Sequence, residues 1–237
     1  MILVTGDTHA DIDIHKLSSE KFPLGNSLTR KDYLIICGDF GLVWDNSKKE
    51  KWWREWLNNK PWTTLFVDGN HENFNLLNSY PITNKWGGKV HQIEDNIYHL
   101  MRGQVFIIDN KKIFTFGGAK THDKKHRIEN VSWWRTELPT QDEMDEGIKN
   151  LEENNWNVDY VITHCCDSKT TKAINTNISG DEFEFNEYKY EFKTDYLTDY
   201  LQMIDDKLSY KHWFCGHHHI NCVINNKVLL YDFYYQL

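Results

Sequence analysis

A chain of 237 residues, 40% hydrophobic and 26% charged, is long enough to bury a sizeable core and too ordinary in composition for a disordered, collagen-like or membrane protein. Its formal net charge of −8, from 35 acidic against 27 basic residues, repels polyanions as a whole and makes long duplex nucleic acid an unfavourable partner. Five cysteines without scaffold-like spacing argue against a disulfide framework and for reduced thiols.

The first element, Ile2-Leu3-Val4-Thr5, is a short apolar run with no basic flank, which predicts a buried strand and not a signal peptide. With no run near the roughly 20 apolar residues of a membrane helix, no membrane partner is expected and the cytoplasm is the expected compartment. Residues 33–37 and 63–67 repeat the pattern, and residues 48–58, with Trp52, Trp53, Trp56 and Leu57, read as the helix between them. A helix over 72–79 follows. Residues 96–118 are β-rich, with Tyr98-His99-Leu100, Val105 to Ile108 and Ile113 to Phe116 forming an antiparallel hairpin about a turn at Asp109-Asn110. Thr140 and Glu143 carry the signature of a reciprocal helix cap, residues 158–163 and 212–215 read as buried strands, and 195–208 as another helix. The last hairpin turns at Asn225-Asn226. Residues 120–138 and 175–190 read as long loops. Alternating strands and helices with two hairpins predict an α/β fold of two packed mixed sheets flanked by helices, in one domain over 1–237.

Five polar motifs fall where a predicted strand gives way to a loop: Gly6-Asp7-Thr8-His9, Gly38-Asp39, Gly69-Asn70-His71-Glu72, Thr163-His164 and Gly216-His217-His218-His219. Strand carboxyl ends are where α/β sheets gather ligands. In extended backbone, residues two apart point to one side, so Asp7 pairs with His9, and His217 with His219, while His218 turns away. Glu72 is expected to cap its helix in preference to orienting His71, and His91 and His99 to lie at the surface. Cys37, Cys165, Cys166 and Cys215 sit close to the motifs, so a thiolate zinc site is the competing reading, weakened by the lack of a CxxC pair.

The ordered set resembles the calcineurin-like metallophosphoesterase family, whose pattern is DxH, GD, GNH followed by Asp or Glu, a lone His, and GHxH; the match runs from Asp7 to His219. The resemblance implies a four-layer α-β-β-α sandwich. It also implies one divalent ion on Asp7, His9 and His219, a second on Asn70, His164 and His217, and Asp39 bridging the two. The family's manganese, iron or zinc suits such mixed imidazole, carboxylate and amide-oxygen ligation, with manganese preferred. Two ions lower the pKa of a bridging water and neutralise charge at phosphorus. His71 would assist the leaving group. Leu42 stands where many relatives carry Asp and where purple acid phosphatases would need Tyr, so that branch is set aside.

The expected substrate is a phosphomonoester or small phosphodiester, in a phosphorylated small molecule, nucleotide or phosphoprotein. A nuclease for single-stranded nucleic acid and a non-catalytic scaffold are the alternatives. His126 and Arg127, in a locally basic stretch, are candidate substrate contacts, and Trp133-Trp134 offers either base stacking or core packing.

Overall fold

The computed structural model describes residues 1–178 and 192–237. Strands Ile2–Thr5 (β1) and Tyr33–Ile36 (β2), helix Lys48–Asn58 (α1) and strand Thr63–Phe66 (β3) come first. The three strands pair in parallel, Val4 opposite Ile35 and Ile35 opposite Leu65. Ser47 starts α1 by accepting the Glu50 N–H on its hydroxyl. The next helix is a single turn, Phe74–Leu77 (α2), capped by Asn73 and shorter than the predicted 72–79.

Three strands then extend this sheet: Ile82–Lys85 (β4), Gly88–Glu94 (β5) and Ile97–Leu100 (β6). The hairpin expected over 96–118 is therefore divided between two sheets. β6 lies parallel to β3, whereas Gln104–Ile108 (β7) and Lys111–Phe116 (β8) form the antiparallel pair about Asp109-Asn110 in the second sheet. The Thr140–Glu143 capping box is present at the start of helix Gln141–Glu153 (α3). After Tyr160–Thr163 (β9) comes helix Ser168–Ile178 (α4), which occupies the start of the loop expected over 175–190; the rest of that range lies outside the described residues. Helix Tyr196–Asp205 (α5), capped by Asp195, leads into His212–Cys215 (β10), Cys222–Ile224 (β11), Lys227–Leu229 (β12) and Tyr234–Gln236 (β13).

The result is a seven-stranded mixed sheet, β13-β1-β2-β3-β6-β5-β4, stacked on a six-stranded one, β11-β12-β10-β9-β8-β7. The central strands are apolar on both faces because both are covered. Ile2, Val4, Ile35 and Leu65 from one sheet meet Phe106, Ile113, Ile162 and Phe214 from the other in a shared core. The opposite face of the first sheet, with Leu3, Leu34 and Ile36, packs against Leu57 of α1, and Val161 and Trp213 of the second pack against Leu151 of α3 and Leu201 of α5. Helix, sheet, sheet and helix make the four layers expected. Within them β1, β2 and β3 run parallel to one another, as do β9 and β10, and they bring their carboxyl ends to one edge of the sandwich.

Candidate metal centre

All five motifs meet at that edge. Asp39 Oδ2 lies 3.2 Å from His9 Nε2, and Asp39 Oδ1 lies 3.4 Å from His164 Nε2. Asp7 Oδ2 is 3.1 Å from His219 Nε2, and Asn70 Oδ1 is 3.2 Å from His164 Nε2. Two donors that each sit about 2.1 Å from one ion, at tetrahedral or octahedral angles, are separated by roughly 3.0 to 3.4 Å, so these spacings are those of donors around common centres. Among the described residues two such groups are present, Asp7 with His9 and His219, and Asp7 with Asp39 and His164.

The route to this geometry differs from the extended one expected. His9 has φ of 40°, His217 of 66° and His219 of 51°, all left-handed, so the chain curls after the strands. His217 and His219 consequently face different neighbours. His219 joins Asp7 and His9, with the His9 ring 4.9 Å away, whereas His217 lies edge-on to His164 at 4.9 Å. His218 packs against Phe192 at 4.4 Å, and neither of its ring nitrogens has a hydrogen-bond partner among the described residues.

Two glycines make room for the carboxylates. A Cβ on Gly69 would stand 2.0 Å from Asp39 Oδ1, and one on Gly216 would stand 2.0 Å from Asp7 Oδ1. Any side chain at either position would displace the acid that the sheet delivers there.

The imidazoles are oriented from outside. His9 Nδ1 donates to Asp13 Oδ2 at 2.7 Å and His164 Nδ1 donates to the Cys37 carbonyl at 2.7 Å. Since carboxylate and carbonyl only accept, Nδ1 keeps a proton in either charge state, and Nε2 is the nitrogen turned inward, the one that would give up its proton to a cation. His217 Nε2 lies 3.1 Å from His122 Nε2. Tyr231 donates its hydroxyl to Asp13 Oδ1 at 3.2 Å and stacks on His219 with ring centres 4.7 Å apart. The Lys16 ammonium donates to the carbonyls of Gly6 at 3.0 Å, Asp7 at 2.6 Å and Tyr231. The residues present therefore fit divalent cations in donor type, spacing and orientation.

Electrostatics agree. Burial pushes the Asp39 carboxyl up, but His164 and His9 overrule it and hold the group well below the usual carboxylate range. The reciprocal effect raises His9 to about 9 and His164 to about 10: burial opposes protonation, and Asp39 with Asp7 outweighs it. A site in which carboxylates retain positive charge this strongly is prepared for cations.

Several sequence expectations are corrected. Glu72 does not cap α2; its fully buried carboxylate accepts the Phe40 N–H at 2.7 Å and the Gly41 N–H at 3.3 Å, bracing the loop that carries Asp39. Burial and the nearby Asp39 charge raise its pKa to about 8. His91 and His99 are buried rather than exposed, since β5 and β6 turn them toward Asp68: His99 Nε2 contacts Asp68 Oδ1 at 3.1 Å, and Arg102 donates twice to Oδ2. Trp133 and Trp134 are core residues, 5% and 2% exposed, which removes them as a stacking platform. Cys166 and Cys215 approach to 2.6 Å between sulfurs, yet among the described residues no thiol belongs to either metal-spaced group. The residues missed were Asp13, Lys16, His122 and Tyr231. They carry no motif, and only the four-residue spacing of His9 and Asp13 hinted at a pair.

His71 stands at the mouth of this cluster. Its backbone N–H donates to Asp39 Oδ1 at 2.7 Å, and its ring lies 5.8 Å from that of His9. Burial lowers its pKa, with help from the Arg127 and His9 charges and against that of Asp39. Arg127 shares a groove with His71 and His9, its guanidinium held by Asp123 at 2.5 Å and by the Ser132 carbonyl at 3.1 Å. His126 is exposed on a short 3₁₀ turn and does not line the groove.

Stacked mixed sheets with carboxylates and imidazoles gathered at their parallel strand ends define a metal-dependent phosphoesterase. The family model for calcineurin-like phosphoesterases matches residues 1–221, and the chain belongs to that family. No curated protein matches the chain. One solved structure aligns over 97% of this chain and 88% of its own, with 13% identity and a TM-score of 0.49, too distant to add to the assignment. Among the described residues no helix is long and apolar enough to cross a membrane.

Proposed function

We propose that the protein hydrolyses a phosphomonoester or small phosphodiester with two divalent ions, manganese by preference and iron or zinc as the alternatives. Asp7, His9 and His219 would hold one ion, Asn70, His164 and His217 the other, and Asp39 both. The observation that carries this reading is Asp39 itself, with one oxygen 3.2 Å from His9 Nε2 and the other 3.4 Å from His164 Nε2. A carboxylate with an inward-facing imidazole on each oxygen is the arrangement a bridging ligand needs. Bound there, the ions supply Lewis acidity, which activates water and neutralises charge at phosphorus.

The chain's own groups supply positioning and proton transfer. Water's oxygen forms the new bond to phosphorus and releases a proton to solvent, the ester bond breaks, and the departing oxygen takes a proton to leave as an alcohol. His71 is placed to provide that proton. Uncharged because of burial, it gains affinity for a proton when an anionic phosphate arrives beside it. Arg127, and not His126, is the substrate contact we propose, since only Arg127 lines the groove, and its planar fork matches phosphoryl oxygens.

The test is hydrolysis of p-nitrophenyl phosphate and bis(p-nitrophenyl) phosphate by protein loaded with manganese, iron or zinc. Metal-dependent release of nitrophenol from at least one is expected. Inertness toward both with every metal contradicts the reading.

A further inference from the structure

Beside the metal centre lies a groove of about 510 Å³, a size suited to a small organic ligand. His9, His71 and Arg127 line it where it meets the cluster, and Trp44, Trp53 and Asp45 also contribute to its walls. Both indoles are fixed before any ligand binds. Trp44 stands edge-on to the buried Trp134 at 5.2 Å, and its carbonyl accepts from Asn73 at 2.6 Å. Trp53 is braced by Trp52 at 4.6 Å, Trp56 at 5.3 Å and His15 at 4.8 Å, all nearly perpendicular to it. Aromatic surfaces already held in place cost little entropy when a flat ligand settles on them.

Among the charged groups of the lining, Lys49 is paired with Asp11 at 2.7 Å and Glu50 is occupied by the N–H groups of Trp44 and Asp45. Arg127 and the metal centre attract an anion, while the exposed Asp45 carboxylate, which accepts the Ser47 N–H at 2.8 Å, offers an acceptor to hydroxyl or amino donors. A ligand complementary to all three features has a phosphate, a flat aromatic ring and several hydrogen-bond donors. A phosphoserine side chain has no ring to place against the indoles. We propose that the groove is a nucleoside subsite and that the substrate is a nucleotide-type phosphate ester, its base against Trp44 and Trp53 and its phosphate toward Arg127. The position of the phosphate rests on the reading given under Proposed function; binding of the base does not.

The test compares adenosine 5′-monophosphate with ribose 5-phosphate on the manganese-loaded full chain, together with calorimetric binding of adenosine to the ion-free protein. One stacked base should give the nucleotide an advantage of about 5- to 150-fold in kcat/KM. Trp53→Ala should shrink that ratio toward unity, and Trp53→Phe should restore most of it, with folding of each variant checked by circular dichroism. Adenosine should bind the ion-free wild type and not Trp53→Ala. Adenosine binding without turnover of any phosphate ester would uphold the subsite and overturn the hydrolytic reading. Turnover of both esters at equal efficiency, with no adenosine binding, would overturn the subsite and uphold hydrolysis. A phosphoserine peptide turned over faster than the nucleotide would also overturn it.

Discussion

On one side of Asp39 stands His164, fully buried and tied through Nδ1 to the Cys37 carbonyl at the end of β2 in the other sheet; on the other stand His9 and His219, 14% and 44% exposed in their side chains. Asn70 belongs with the buried side, since it donates to Thr121 at 3.4 Å and Thr121 donates to the buried Glu137 at 2.5 Å. The open side relies on side chains, with Asp13 holding His9, and Tyr231 holding Asp13 and covering His219. A ligand directly after a central strand takes its position from the sheet. A ligand in a left-handed loop needs a partner to hold it.

The strongest perturbation removes what the two sides share. Asp39→Asn should abolish joint binding of the ions and lower turnover by about 10³-fold or more, read by metal analysis and initial rates. Near-normal turnover would show that Asp39 does not bridge. Next in size, His71→Ala should keep both ions and slow the reaction by about 10²- to 10⁴-fold, because its imidazole belongs to neither group of donors and the backbone N–H that holds Asp39 is retained. Loss of metal in that variant would make His71 a ligand.

A smaller change separates the sides. Asp13→Ala should weaken one of two manganese ions by roughly 10- to 100-fold and spare the other, and His122→Ala should weaken the opposite one through His217. Calorimetric titration reads both affinities, and equal loss at the two sites would erase the distinction drawn between them.

The smallest effect is on pH dependence. His9 and His164 are raised to about 9 and about 10 in the folded ion-free protein, against an ordinary value near 6.5. The folded state then binds more protons than the unfolded one across that interval. Their stabilisation is complete below about pH 6.5 and is lost as pH rises through the folded values. Melting of the ion-free protein should fall by a few degrees, about 2 to 8 °C, between about pH 6 and 8.5, while the added stability from manganese grows because the ions displace those protons. A melting temperature that rose over that range without metal would reverse the sign.

The buried side was the more legible in sequence. β2 and β9 are uninterrupted apolar runs, so Gly38-Asp39 and Thr163-His164 are marked by the abrupt change at their ends. Glu72, by contrast, reads locally as a helix cap and serves instead a backbone loop 32 residues away, and Tyr231 reaches Asp13 across 218 residues. Such long-range contacts leave no periodic trace. β4 was missed because Ile82-Thr83-Asn84-Lys85 is exposed at a sheet edge and has no apolar alternation, and α4 because its Thr and Asn residues are indifferent helix formers.

Anomalous diffraction from crystals soaked in manganese addresses the central claim most directly. Two peaks roughly 3.5 to 4 Å apart, one on each side of the Asp39 carboxylate, are expected. A single peak away from Asp39, or none, would contradict the dinuclear centre.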